Sequence, residues 1–237
     1  MKIYLISFIF CLSIMTMAQK IVGNGKVVTK ERSIPTHFDG LKATGSIDVT
    51  ILDGKKNGKI ILEGESNVLD YVETKVEDGI LIIQLKPNQS YTMKKGIRVS
   101  FPAHELNSIE TTGSGDITSK GKLKSTTLSL LSKGSGDLSL QVDADKIDLQ
   151  TMGSGDTQLK GKTKVFEINS RGSGDLSAFD LMAQDIQLTK SGSGDCKVQL
   201  SGKLNVQSSG SGNVYYKGKT DQVHANSRGS GKVIQSN

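Results

Sequence analysis

The sequence predicts an all-β protein: a right-handed parallel β-helix, or solenoid, with one coil per Gly-Ser-Gly repeat of about 19 residues, behind an irregular N-terminal β part. Three observations carry this expectation. A glycine triplet recurs at near-constant spacing, apolar residues alternate with polar ones around it, and the composition suits a narrow stacked core. The 237 residues include 27 glycines but only 3 prolines and no tryptophan. Proline removes a ladder donor, and a thin stack has little room for the largest rings. Charged residues make up an ordinary 23%, which excludes wholesale disorder. Two cysteines exclude a disulfide scaffold, and the glycine fraction excludes collagen.

The triplet occurs seven times: Gly113 to Gly115, Gly134 to Gly136, Gly153 to Gly155, Gly172 to Gly174, Gly192 to Gly194, Gly210 to Gly212 and Gly229 to Gly231. The spacings are 21, 19, 19, 20, 18 and 19 residues. The next residue is Asp116, Asp137, Asp156, Asp175 and Asp195, then Asn213, then Lys232. Four places before the triplets lie Ile109, Leu130, Leu149, Ile168, Leu188, Val206 and Ala225. Six places before, from the second copy on, lie Leu128, Ile147, Phe166, Ile186, Leu204 and Val223. Two places before lie Thr or Ser, with Lys190 as the exception. Period two with polar residues between marks a strand buried on one face. After the triplet, Ile117, Leu138, Leu176, Cys196, Val214 and Val233 share an apolar slot whose polar member is Thr157.

Each repeat therefore reads as strand, Gly-Ser-Gly turn, strand and second turn. Glycine suits the first turn because it reaches positive φ freely. Such a unit cannot bury its face alone, but stacked copies build a continuous core rising ~4.8 Å per coil. The second turn is basic in places, at Lys120 and Lys122, Lys160 and Lys162, Lys203, and Lys217 and Lys219.

The N-terminal half reads as less regular β structure. Gly23-Asn24-Gly25 looks like a relative of the repeat turn, and Val27-Val28 and Ile34 to Phe38 read as strands. Gly45 to Ile51 reads as a decayed repeat. Lys59 to Leu62, Ile80 to Leu85 and Ile97 to Phe101 read as further strands. Ser66 to Glu77 is the one place for a short helix, with Ser66 as its cap. Residues 1–18 have the charged start, apolar run and small-residue cut site of a secretory signal peptide, cleaved between Ala18 and Gln19. The expected division is signal peptide 1–18, irregular β region 19–110 and repeat solenoid 111–237, with 19–237 forming one structural domain.

These features together resemble the putative auto-transporter adhesin, head GIN domain, family. The resemblance rests on Gly23-Asn24-Gly25, Glu31-Arg32 with Phe38, and Gly45 to Ile51. It rests also on Asn67 to Tyr71, Asp78 to Ile83, the Ile97 to Pro102 strand and the Gly-Ser-Gly-Asp array. It implies a right-handed β-helix akin to pectin-lyase-like folds, without their catalytic residues, and a role in adhesion. Self-export would call for a membrane-anchoring segment, and the sequence to Asn237 reads without one.

Three chemistries compete for the repeats. The aspartate column invites Ca²⁺, but each turn offers one carboxylate where a hard cation wants six or more oxygens. Lys133, Arg171 and Arg228 precede triplets and are expected to neutralise that column. A polysaccharide-active enzyme needs paired or metal-bound carboxylates, whereas these form a regular file. His37, His104 and His224 have no metal-ligand spacing, and the triplet serines lack a nucleophile context. Nucleic acid would want stacking aromatics along the basic edge, and secretion argues against it. No catalytic, cofactor or metal residues are assigned. The lysine file (120, 122, 160, 162, 203, 217 and 219) is the candidate ligand-facing edge, and the repeat-turn glycines and aspartates are structural. The expected function is a secreted, non-enzymatic binding module at the cell envelope. The protein is not membrane-spanning once the signal is cleaved, and its expected partner is a glycan or a surface protein. The alternative is a structural scaffold of an envelope assembly. Its location is periplasm, outer surface or extracellular space.

Overall fold

The structure, a computed structural model, describes residues 19–220 and 222–236. The proposed signal peptide and the Ala18 side of its cut site lie outside the described residues. The described residues form nineteen strands. The N-terminal ones are β1 (Gln19–Val22), β2 (Val27–Ser33), β3 (Gly40–Gly45), β4 (Ile47–Leu52) and β5 (Lys59–Glu65). Next come β6 (Val72–Glu77), β7 (Ile80–Leu85), β8 (Gln89–Thr92) and β9 (Ile97–Pro102). The repeats supply β10 (Ser108–Gly113), β11 (Ile117–Gly134), β12 (Leu138–Gly153), β13 (Thr157–Gly172) and β14 (Leu176–Gly192). The last are β15 (Cys196–Leu200), β16 (Leu204–Gly210), β17 (Val214–Lys217), β18 (Val223–Gly229) and β19 (Val233–Gln235).

The fold is a β-solenoid, and the repeat sets its coil. Gly113 pairs in parallel register with Gly134, Gly134 with Gly153, and so on through Gly172, Gly192 and Gly210 to Gly229. The apolar columns read from the sequence are the core. Leu128, Leu130, Ile147, Leu149, Phe166, Ile168, Ile186 and Leu188 are all buried and stack rank on rank. Of the inner Ser/Thr column, Thr111, Ser132, Ser170 and Ser208 are buried beside them and Thr151 half-buried, and hydroxyls bond between coils, as Thr151 to Ser170 (3.1 Å). Lys190 occupies the same column, also buried, and its Nζ donates to the Gly212 carbonyl at 2.8 Å.

The second turn differs from expectation. In β11 to β14 the chain passes that corner without leaving the ladder, so the strands run 16 to 18 residues. Gly161, at φ +122°, bends the chain there while pairing with Val142. Continued pairing satisfies the backbone donors that an open loop would expose. Among the repeats, the later coils break at this corner, between β15 and β16 and between β17 and β18.

The N-terminal half belongs to the same stack, but not in chain order. β3 lies between β7 and β10, and β4 between β9 and β11, all parallel. The chain thus lays down one level, drops below it to build the β7/β9 level, then climbs past to start the repeats. Asn107 fastens the climb: its N–H and its Nδ2 both donate to Asp39, at 2.6 and 2.9 Å. Antiparallel strands cover the lower side, β2 on β5, β5 on β9 and β6 on β7. Covering an edge this way protects it from pairing with other chains.

Three local expectations are corrected. The segment from Ser66 is not a helix with a Ser66 cap. It holds one 3₁₀ turn, Leu69–Tyr71, and then becomes β6, because β-branched Val72, Thr74 and Val76 pair with β7. Arg32 donates to the carbonyls of Leu69 and Val72 at the end of that turn. Ile34 to Phe38 is a buried-anchor loop rather than a strand: Ile34 and Phe38 are buried, and Phe38 packs edge-on against Phe101 at 5.8 Å. Gly23-Asn24-Gly25 is not a repeat turn. It cradles the Glu65 carboxylate, which is 0% exposed and accepts from the N–H groups of Gly25 (2.7 Å) and Lys94 (3.2 Å). A Cβ on Gly23 would lie 1.7 Å from Glu65 Oε2, so glycine is required there by the carboxylate.

The triplet glycines are required by close stacking. A Cβ on Gly155 would stand 2.1 Å from the Gly136 carbonyl oxygen of the coil below, although its φ is not positive. Gly155→Ala is therefore expected to cost about 3 kcal/mol in denaturant unfolding, as an overpacked site without room to yield. Gly96→Ala, where a Cβ meets nothing within 4 Å, is the neutral control. The Thr157 hydroxyl sits in an apolar column, 2% exposed and without a hydrogen-bond partner among the described residues. Thr157→Val is expected to raise stability by about 1 kcal/mol, measured the same way, because it removes a buried unpaired polar group at constant volume.

Candidate functional site

The Gly-Ser-Gly-Asp edge repeats the same hydrogen bonds from coil to coil. From Gly113 to Gly192 each first glycine carbonyl accepts from two N–H groups of the next triplet, as Gly134 does from Ser154 (2.9 Å) and Gly155 (3.3 Å), while Gly210 accepts from Gly231 at 3.1 Å. Each aspartate then reaches up one coil. Asp116 Oδ1 accepts from Asp137 N–H at 2.8 Å, Asp137 from Asp156 at 2.8 Å, Asp156 from Asp175 at 2.8 Å, and Asp175 from Asp195 at 2.7 Å. Asp195 serves Asn213 at 2.6 Å, and Asn213 serves Lys232 at 3.0 Å. The file starts one coil earlier than the triplets, since Asp48 Oδ1 accepts from Asp116 N–H at 3.2 Å. The alignment of Gly45-Ser46-Ile47-Asp48 with Gly113-Ser114-Gly115-Asp116 was the sequence signal for that member.

Backbone donors thus occupy one oxygen of each carboxylate in the file. Lys133, Arg171 and Arg228, expected to neutralise it, form no ion pair among the described residues. Among the described residues no group of three or more His, Cys, Asp and Glu side chains is placed to hold a metal ion.

The lysine edge is exposed but mixed in sign. Lys122, Gln141, Lys160 and Asp180 stack in one column, and Lys124, Asp143, Lys162 and Met182 in the next. Lys160 faces Asp180 at 4.0 Å and Lys162 faces Asp143 at 3.5 Å. Lys217 lies over the Phe179 ring at 4.6 Å, and the Lys203 N–H donates to Asp185 at 2.8 Å. Lys120 and Lys219 are exposed. In a parallel stack, identical charges would repel at each coil, and alternation relieves this.

Two further groups stand out. Cys196 is fully buried, and burial pushes its thiol up to about 12, so it is protonated and inert at neutral pH. A cleft of 560 Å³ opens where the N-terminal half meets the repeats, lined by Asp39, Lys56, Glu105, Asn107, Lys124 and Asp143 among others. Burial lowers the Lys56 pKa, and the charges of Asp39 and Glu105 oppose that shift. Lys56 Nζ donates to the Phe38 carbonyl and lies over its ring at 4.9 Å. Its ammonium thus ties the loop between β4 and β5 to the loop before β3. His104 contacts Asp53 at 3.3 Å beside this cleft, while His37 and His224 are exposed elsewhere.

Sequence reasoning passed over the outward face of the long sheet. Three depressions there, of 330, 380 and 550 Å³, share lining residues and run together. Most of their residues are the polar positions between the core columns, so the signal was present as period-two alternation. Nothing in one repeat marks them, because they line up only when coils stack.

The profile of one protein family, described as "Putative auto-transporter adhesin, head GIN domain", matches residues 37–220. Solved structures share the fold. A putative adhesin from Bacteroides fragilis is 22% identical, with a TM-score of 0.82 over 91% of this chain and 100% of the other. A putative adhesin from Parabacteroides merdae is 22% identical, with a TM-score of 0.76 over 93% and 100%. A putative lipid binding protein from Parabacteroides distasonis is 24% identical, with a TM-score of 0.73 over 92% and 100%. No curated protein matches this sequence.

The aspartate file makes a sharp distinction between two substitutions. Asp156→Ala leaves the Asp175 N–H without its acceptor and is expected to cost about 1–2 kcal/mol. Asp156→Asn keeps an oxygen in place and is expected to cost less than half as much. Thermal melts of the two variants at neutral pH check this; equal losses would mean that charge, not acceptance, is what the position needs.

Proposed function

This chain belongs to the putative auto-transporter adhesin, head GIN domain, family, and we propose that it is an exported, non-enzymatic binding module of the cell envelope. The observation that carries this reading is the register. Coil after coil, the same outward position recurs at one strand spacing, so the surface is a rigid lattice of repeated side chains. Such a surface is preorganised and loses little entropy when it meets a repetitive partner. The signal-like first eighteen residues support the export part of this reading, and the family description supports adhesion. Among the described residues no helix is long and apolar enough to cross a membrane.

A scaffold role in an envelope assembly is the second reading, favoured by the mixed-sign lysine edge, which suits a protein neighbour with its own alternating charges. The lipid-binding description of one structural neighbour belongs to that protein. A lipid role for this chain would need an apolar surface, and its exposed large apolar residues are scattered.

Incubating purified protein with intact cells and isolated envelopes separates the two. Saturable binding to cells added from outside is expected for a binding module. Absence of such binding, with co-purification of fixed envelope partners from the native host, would overturn it in favour of a scaffold.

A further inference from the structure

The three shared depressions on the sheet face form one furrow across the coils. Those of 330 and 550 Å³ share Gln187, and that of 380 Å³ joins them through Thr189, Gln207 and Asn226. Its axis is marked by a single column, Gln150, Asn169, Thr189, Gln207 and Asn226, each paired in register with the next. Four coil steps give the column a length of about 19 Å. The furrow therefore crosses the strands and follows the long axis of the stack.

The chemistry of this column differs from that of the inner one. Inside, hydroxyls are used on each other, as between Ser208 and Ser227 at 2.8 Å. Outside, none of the five side chains is hydrogen-bonded within the chain among the described residues. They present four amides and a hydroxyl, each able both to donate and to accept. Stacking brings no self-satisfied amide ladder here, so the groups stay open toward solvent.

The furrow carries charge of both signs, and Lys190, whose buried Nζ is held by the Gly212 carbonyl, and His224 are also among its lining residues. Glu167 is held by Lys146 at 2.8 Å, Asp148 lies on one flank, and Arg171 and Arg228 lie on the other. A polyanion would run beside Asp148 and Glu167, and a polycation beside the two arginines. Like-charge juxtaposition disfavours both. A neutral polymer meets neither penalty.

We propose that this furrow is the binding site for a linear, neutral polysaccharide laid along the solenoid axis, with roughly one sugar ring to each coil. Paired donor and acceptor groups recurring once per strand spacing match a chain of vicinal hydroxyls that repeats on a similar length. The proposal rests on the binding-module reading above and names its surface and ligand class. It moves the ligand from the lysine edge to the sheet face.

Affinity electrophoresis of the purified protein through gels containing laminarin, hydroxyethylcellulose, mannan or polygalacturonate tests it, alongside the cell-binding measurement. At least one neutral polymer is expected to retard the protein, with polygalacturonate having no effect. Asn169→Ala with Gln207→Ala is expected to weaken that retardation by about tenfold or more, from the loss of hydrogen bonds made by both residues. Gln187→Ala with Asn205→Ala supplies an independent pair should the first disturb folding, which circular dichroism reports. Retardation unchanged in both pairs, or abolished instead by Lys160→Ala with Lys162→Ala, would overturn the assignment. Cell binding that persists without any neutral-polymer retardation would also overturn it, while leaving the binding-module reading standing. Loss of cell binding with retardation intact would remove only that broader reading.

Discussion

The fold depends on how closely one Gly-Ser-Gly turn lies on the next. At this corner the backbone of each coil stands where the side chain of the coil above would be. A Cβ on Gly136 would meet the Gly115 oxygen at 2.2 Å, and one on Gly174 the Gly155 oxygen at 2.1 Å. The approach lets a single carbonyl serve two N–H groups of the coil above, which closes the hydrogen bonds of a tight corner without water. Glycine is needed here mainly for space. Positive φ is a further demand on the first glycine only, between +104° and +136° in the seven triplets.

The constraint has a direction. Glycine at a level is demanded by the coil below, and aspartate by the coil above. Both ends of the turn file show it. At the first level that carries the turn, where β7 and β9 lie below the strands but no turn lies below the corner, a Cβ on Gly45 would meet nothing within 4 Å, and the second glycine is replaced by Ile47. That level still has a coil above it, and it keeps Asp48 as the acceptor for Asp116. At the highest described level, Gly229 and Gly231 press on the coil below and remain glycines. No described coil lies above Lys232, and there the acceptor is gone. What reads as decay of a repeat is the absence of one neighbour or the other.

Surfaces follow from the same register. In-register stacking converts any polar position into a column, so charge and hydrogen-bonding character are decided by column. The lysine edge alternates in sign, the inner hydroxyls pair with one another, and the outward amides are left open. The surface that one repeat offers is one residue wide. The surface that the stack offers is a furrow about 19 Å long.

Sequence periodicity alone was enough for the solenoid, its coil length, its core columns and its turn edge. Core-forming alternation and a repeated triplet are local properties, and stacking identical units has one main solution. The same reasoning failed at Ser66 and at Gly23-Asn24-Gly25. Partners distant in sequence rule those places: β7 draws Val72–Glu77 into a strand, and the Glu65 carboxylate needs Gly23. The order of levels was also beyond reach, because β3 and β4 accept neighbours on both sides from segments that follow them in the chain. The furrow belongs with these. Gln150, Asn169, Thr189, Gln207 and Asn226 are each an ordinary polar residue in sequence, and parallel register makes them one surface. The sequence by itself determined what repeats and what is buried. Only the tertiary structure decided which residues meet, because contact between coils depends on stacking order and register rather than on any local pattern.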